Sequence, residues 1–288
     1  MINDKPNFLG IGSVRGGSTW LWTVIKSHPD FYMPSKRKEI QFFTRFYNKG
    51  ENWYQKFFLN SKKAPKYQGE FTPGYLTAKN APKRIKNLKS VEKFVLILRS
   101  PIKRAYSHFK WHLRVTGENI DFETFCTKLP KLAIENGMYY KYLNKYLEYF
   151  ERDQFLILIY EEVTADPEKL LSELSSFFGV DKSLFKLPSR KNESVIPKYR
   201  KAFRFAHKIG QYLRKQDLDF LPNFFIRLGL KNIFGNEKNK IKKLTDSEQI
   251  KLFSIYKKDI ESLEVLVNKS LELWTPRTKK KSVIIRER

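Results

Sequence analysis

The chain has one cysteine, Cys126, and four histidines, His28, His108, His112 and His207, in 288 residues. A single thiol excludes an internal disulfide framework and any cysteine-rich metal site. The histidines show no His-Glu-x-x-His or similar spacing, so no metal is expected. Long apolar runs are missing too. The strongest, Phe94–Leu98 and Phe155–Tyr160, fall far short of the roughly 18 to 20 residues that span a bilayer, so no transmembrane segment is expected. Met1-Ile2-Asn3-Asp4-Lys5-Pro6 has no basic stretch leading into an apolar one, which makes the cytoplasm the expected location. Glycine and proline, 13 of each, are scattered, and 41% of residues are hydrophobic, which excludes collagen-like and wholly disordered chains. Acidic residues are scarce. Thirty Asp and Glu against 56 Lys and Arg leave a net charge of +26, a field that draws in polyanions: nucleic acid, nucleotides, anionic lipid or acidic glycans.

Three buried strands, each followed by a turn and a helix, stand out along the chain. Asn7–Gly12 leads into a helix over Trp20–Lys26, and Lys93–Leu98 ends at Arg99-Ser100-Pro101 before helical spacing resumes through Ala105, Phe109 and Leu113. Phe155–Tyr160 precedes a helix over Glu168–Phe178, with Asp166 as its N-cap and Pro167 in its first turn. This alternation predicts an α/β fold with a central parallel sheet flanked by helices on both faces. Trp53–Phe58 and Tyr139–Phe150 read as amphipathic helices, and Thr245–Leu273 as a long closing helix. One domain is expected over residues 1–274, with 216–240 an inserted or mobile element and 275–288 a basic tail. Residues 189–215 are also strongly basic.

The first turn, Gly12-Ser13-Val14-Arg15-Gly16-Gly17-Ser18-Thr19, has glycines at Walker A spacing, but Ser18 stands where the nucleotide-binding lysine belongs. Gly16 and Gly17 still allow backbone N–H groups and a helix N-terminus to cradle a phosphate without a metal. Arg15-Gly16-Gly17-Ser18-Thr19-Trp20-Leu21 resembles the 5′-phosphosulfate loop of sulfotransferases that use 3′-phosphoadenosine 5′-phosphosulfate (PAPS). Further landmarks resemble the heparan-sulfate and related bacterial carbohydrate branch. They are His28-Pro29-Asp30, Lys38-Glu39-Ile40-Gln41-Phe42-Phe43, Trp53-Tyr54, Gly69-Glu70-Phe71-Thr72-Pro73-Gly74-Tyr75, Phe94 to Ser107, Gly137-Met138-Tyr139-Tyr140, and Tyr160-Glu161-Glu162 with Asp166-Pro167. The resemblance covers roughly Phe8 to Asp181 and implies the P-loop-like sulfotransferase fold.

It also implies roles. Arg15 would neutralise the oxygen between the 5′-phosphate and the sulfuryl group; the heparan branch usually has lysine there, and arginine stays charged. Gly16, Gly17, Ser18 and Thr19 would hold the 5′-phosphate, and Trp20 would either stack on adenine or pack in the core. Arg99 and Ser107 would hold the 3′-phosphate, unless Arg99 meets a neighbouring carboxylate. Arg104 reads as a structural ion-pair partner. Glu39 is the expected general base, with His112 as its rival, or else a surface carboxylate paired with Lys38. Lys198, Arg200 and Lys201 are candidates to touch the nucleotide or an acidic acceptor. Phe71 replaces a lysine common in the branch. The implied reaction moves a sulfuryl group from PAPS to a hydroxyl or amine, on a carbohydrate by the branch, and releases adenosine 3′,5′-bisphosphate (PAP). Small-molecule, lipid and tyrosine acceptors stay open. A nucleotide or sugar kinase is disfavoured by the missing Walker lysine. A nucleic-acid-binding protein would fit the charge, but it leaves both phosphate loops unexplained.

Overall fold

A computed structural model describes residues 5–35, 37–59, 65–188 and 241–276, with short pieces at 196–197, 205, 209–210, 212–213 and 236–237. The expected inserted element at 216–240 lies almost wholly outside the described residues, and the tail from 277 on lies outside them. In chain order the elements are β1 (Phe8–Gly12), α1 (Ser18–Ser27), β2 (Phe31–Tyr32), α2 (Glu51–Gln55), β3 (Tyr67–Phe71), α3 (Ala81–Leu88) and β4 (Lys93–Leu98). There follow α4 (Pro101–Thr116), α5 (Phe122–Lys128), α6 (Pro130–Ala133), α7 (Tyr139–Leu147), β5 (Phe155–Ile159), α8 (Tyr160–Ala165), α9 (Pro167–Phe178) and α10 (Asp246–Val267).

Strands β1 to β5 form one sheet in the order β2-β3-β1-β4-β5, with every neighbouring pair parallel, and Ile196–Pro197 and Asn236–Glu237 form a separate antiparallel pair. Strand alternation divides the core in two. Leu9, Ile11, Leu96 and Ile157 face α3, α4, α7 and α10, whereas Phe8, Phe71, Val95 and Leu158 face α1 and α9. Helices therefore cover both faces, as a parallel sheet with buried strands on each side requires. From β1 the chain runs to the β2 edge, returns through β3 beside β1, and then crosses to β4 on the far side. The connection after β1 runs toward β2 and the one after β4 toward β5, in opposite directions, which opens a crevice at the carboxyl ends of β1 and β4.

Local signals set most helix ends. Asp166 Oδ1 accepts the Lys169 N–H at 3.2 Å and opens α9, and left-handed Gly179 closes it. Thr245 and Glu248 form a reciprocal capping box on α10. Left-handed Asn268 ends α10 short of the expected Leu273, and the Glu264 carboxylate takes the Leu271 N–H beyond that stop. Trp53–Phe58 is only partly helical, because α2 ends at Gln55 and turns carry Lys56–Leu59. No described helix is long and apolar enough to cross a membrane.

Candidate active site

The turn after β1 is pinned to the next strand. Ser13 donates both its N–H (3.0 Å) and its hydroxyl (2.9 Å) to the Ile97 carbonyl on β4, and the Gly16 N–H returns to the Ser13 carbonyl. A Cβ at Gly16 would strike the Ser13 hydroxyl and lie 2.6 Å from the Ile97 oxygen. Gly17 has φ +109°, and a side chain there would meet the Tyr160 ring at 2.6 Å. Both glycines are therefore dictated by close approach, and Gly17 also by its left-handed backbone. Gly17 caps α1 without any side-chain acceptor, so the first helical N–H groups are left for an anion.

Three guanidinium groups converge on this turn. Arg15 sits in the turn itself with φ +66°, Arg99 follows β4, and Arg114 comes from the fourth turn of α4. Burial, then the charges of Arg114 and Arg99, hold Arg15 down to about 10. It is still protonated at neutral pH. The Nε of each of the three is buried with no hydrogen-bond partner, and among the described residues none of the three forms an ion pair. Three like charges held at a glycine turn without a described counter-charge suit a multiply charged anion; the unpartnered Nε alone does not single them out, since Arg104 in the core has one too. Arg99 lies over the Tyr160 ring at 5.0 Å, and its carbonyl accepts the Tyr139 hydroxyl at 2.8 Å. Among the described residues no carboxylate pairs with it.

Helical spacing puts Lys103, Ser107, Lys110 and Arg114 along one stripe of α4. Lys110, on this stripe, is lowered by burial and then by the charges of Arg99 and Arg15. Arg104 points the other way, into the core. It is fully buried and pairs with no carboxylate among the described residues, contrary to the expected ion pair. The carbonyls of Leu132 (3.0 Å) and Ala133, at the end of α6, take its protons instead.

Opposite the turn, the segment before Phe42 brings in two charges. Lys38 Nζ donates to Thr19 Oγ1 at 2.8 Å and lies 3.8 Å from the Glu39 carboxylate. Burial lowers Lys38, while Glu39 raises it. The Glu39 side chain remains 44% exposed, open to an incoming molecule. His112, its rival, has its Nε2 3.0 Å from the Glu118 carboxylate and its ring 5.3 Å from Phe125, on the side of α4 away from the Ser107 stripe. Trp20 is half-buried against the α1 side of the core. Phe71 is fully buried on that same side, where a lysine would have no water. Lys198, Arg200 and Lys201 lie outside the described residues. Thus Arg15, Gly16, Gly17, Ser18, Thr19 and Arg99 lie at or beside the turn after β1, Lys38 ties the Glu39 segment to Thr19, and Ser107 stands on the α4 stripe that carries Arg114. Lys38, Lys110 and Arg114 join them as cations to which the sequence analysis gave no site role. Among the described residues no cluster of His, Cys, Asp or Glu could hold a metal ion.

Residues 5–222 match the sulfotransferase domain family. Among curated proteins, the chain is 30% identical over 183 residues to the mouse heparan sulfate glucosamine 3-O-sulfotransferase 3B1, covering 61% of this chain and 46% of that protein. It is also 30% identical over 194 residues to the mouse bifunctional heparan sulfate N-deacetylase/N-sulfotransferase 4, covering 61% of this chain and 22% of that protein. The chain therefore spans less than half the length of either. Among solved structures, a sulfotransferase from Alicyclobacillus acidocaldarius superposes with a TM-score of 0.68 at 19% identity, over 94% of this chain and 98% of that one, which shows a shared fold.

Proposed function

Because this chain belongs to the sulfotransferase family, as the match over residues 5–222 shows, we propose that it moves a sulfuryl group from PAPS to a hydroxyl or amine, on a glycan, and releases PAP. The observation that carries the proposal is the meeting of three guanidinium charges, none in a described ion pair, around a glycine-lined turn, with one open carboxylate beside it. In this reading the backbone of Gly16 to Thr19, with the Ser18 and Thr19 hydroxyls, binds the 5′-phosphate. Arg99 and Ser107 bind the 3′-phosphate.

Glu39 takes the proton from the acceptor hydroxyl or amine as its oxygen or nitrogen bonds to sulfur. The bond from sulfur to the bridging phosphate oxygen breaks, and its electron pair stays on that oxygen, where Arg15 meets the charge. Lys38, held between Thr19 and Glu39, faces the sulfuryl group in transit. A positioned base contributes about 10²- to 10⁴-fold, and each preorganised donor on the developing charge about 10²- to 10³-fold. The glycan acceptor is supported by the heparan sulfate enzymes among the relatives and by the net charge of +26. Calorimetric titration with PAP, AMP and ATP in metal-free buffer tests the donor site. Binding that depends on the 3′-phosphate supports the reading, and equal weak binding of all three points to a general basic surface.

A further inference from the structure

The carboxyl of Glu70 is fully buried near the end of β3, yet nothing in the proposed reaction uses it. Its Oε1 accepts the hydroxyls of Tyr75 (2.5 Å) and Tyr54 (3.3 Å). Its Oε2 accepts the Thr72 hydroxyl (2.6 Å) and the backbone N–H of Ile40 (3.4 Å). Thr72 passes the contact on, because its Oγ1 accepts the Gln41 N–H at 3.2 Å. Two consecutive amides after Glu39 therefore end on this one carboxyl, the first directly and the second through Thr72.

The backbone there needs holding. Gln41 is in the left-handed region at φ +60°, a conformation that a non-glycine residue keeps only where its surroundings enforce it. The same two tyrosines that donate to Glu70 also grip the next side chains. The Tyr54 ring stacks on Phe42 at 4.3 Å and 8°, and Tyr54 and Tyr75 meet Phe43 edge-on at 5.4 and 5.3 Å. Burying a carboxyl is expensive, and an apolar side chain of similar volume would be less costly for stability. What the carboxyl adds, and an apolar group cannot, is acceptors for four donors from three separate segments.

We propose that Glu70, with Thr72 as its relay, is a positioning residue that fixes the Ile40–Gln41 backbone and thereby aims Lys38 and Glu39 at the glycine turn. This rests on the reading of Glu39 as the base. It assigns β3 a part in the reaction without placing any of its side chains against substrate.

The test compares Thr72→Val, which removes the relay, with Thr72→Ser, which keeps the hydroxyl, and with Glu70→Gln. The readouts are backbone hydrogen exchange over residues 38–43, PAP affinity by calorimetry, and the rate at which PAPS is turned over to PAP with water as acceptor. The expected result for Thr72→Val is at least tenfold faster exchange at Ile40 and Gln41, at least tenfold slower turnover and a PAP affinity within threefold of wild type, with Thr72→Ser restoring all three. Glu70→Gln is expected to follow Thr72→Val; should it fail to fold, the threonine pair carries the test alone. Unchanged exchange in Thr72→Val, or wild-type turnover alongside faster exchange, overturns the positioning role. A wild-type protein that neither binds PAP nor turns over PAPS overturns the reading of the site itself, a distinct outcome.

Discussion

Lys38 Nζ lies 2.8 Å from Thr19 Oγ1, so the segment that carries Glu39 is fastened by a side-chain hydrogen bond to the first turn of α1. A cation between a phosphate-binding hydroxyl and an open carboxylate stands where charge moves during group transfer. Replacing Lys38 with methionine keeps the buried stem and removes the charge. Turnover of PAPS is expected to fall about 10²- to 10³-fold, the cost of losing one preorganised donor. PAP affinity should fall by less than tenfold. Steady-state rates and calorimetry on the same preparation check the pair of values.

The two candidate bases separate by mutation. Glu39→Gln is expected to lower turnover by about 10²- to 10⁴-fold with PAP binding intact, as for a lost general base. His112→Asn should cost far less, since the His112 ring packs on Phe125 and its Nε2 is 3.0 Å from Glu118. A larger loss in His112→Asn than in Glu39→Gln would exchange the two roles.

The turn after β1 leaves no room for a side chain. Gly17→Ala would place a Cβ 2.6 Å from the Tyr160 ring on a backbone at φ +109°. Strain of this kind costs about 1–3 kcal/mol, so the thermal midpoint should drop by several degrees and PAP binding should weaken. Gly50 offers a control at φ +76°, with nothing within 4 Å of its Cβ. Gly50→Ala should lower the midpoint by strain alone and leave PAP binding unchanged.

Two buried groups give opposite pH dependences. Burial, then the charges of Arg104, Arg15 and His112, push His108 down from 6.5 to about 3. Its contribution to stability is therefore present above about 6.5 and lost as pH falls toward about 3. Burial pushes Glu70 up from 4.5 to about 7, against the hydrogen bonds from Thr72, Tyr75, Ile40 and Tyr54. The folded chain keeps that proton longer than the unfolded chain, so stability is lost as pH rises from about 4.5 to about 7. Between about 4.5 and 6.5 the two effects oppose one another, each with a slope of up to about 1.4 kcal/mol per pH unit. Urea denaturation should show His108→Asn gaining on wild type as pH falls below 6.5. Glu70→Gln should gain on wild type as pH rises from 5 to 7.

The sheet was legible where strands are continuous apolar runs, as in Phe94–Leu98 and Phe155–Ile159. β3 was not, because Tyr67-Gln68-Gly69-Glu70-Phe71 has no such run. Its burial depends on hydroxyls supplied by Tyr54, Thr72 and Tyr75, and strand periodicity carries no sign of those partners. The glycine turn was readable from local spacing, whereas Arg99 was singled out by the resemblance of Phe94 to Ser107 to a sulfotransferase motif. Lys110 and Arg114 were not, since a basic residue on a helix reads alike whether it meets water or a crevice, and only the packing of α4 beside β1 and β4 distinguishes them. Arg104 was misassigned for a related reason. The carbonyls of Leu132 and Ala133 that receive it are backbone atoms far along the chain.

Calorimetric titration of wild type and Arg99→Ala with PAP and AMP tests the central claim most directly. The account predicts that wild type binds PAP at least a hundredfold more tightly than AMP and that Arg99→Ala brings the two affinities to within a few fold of each other. Equal affinity for both nucleotides in wild type, unchanged in Arg99→Ala, would contradict it.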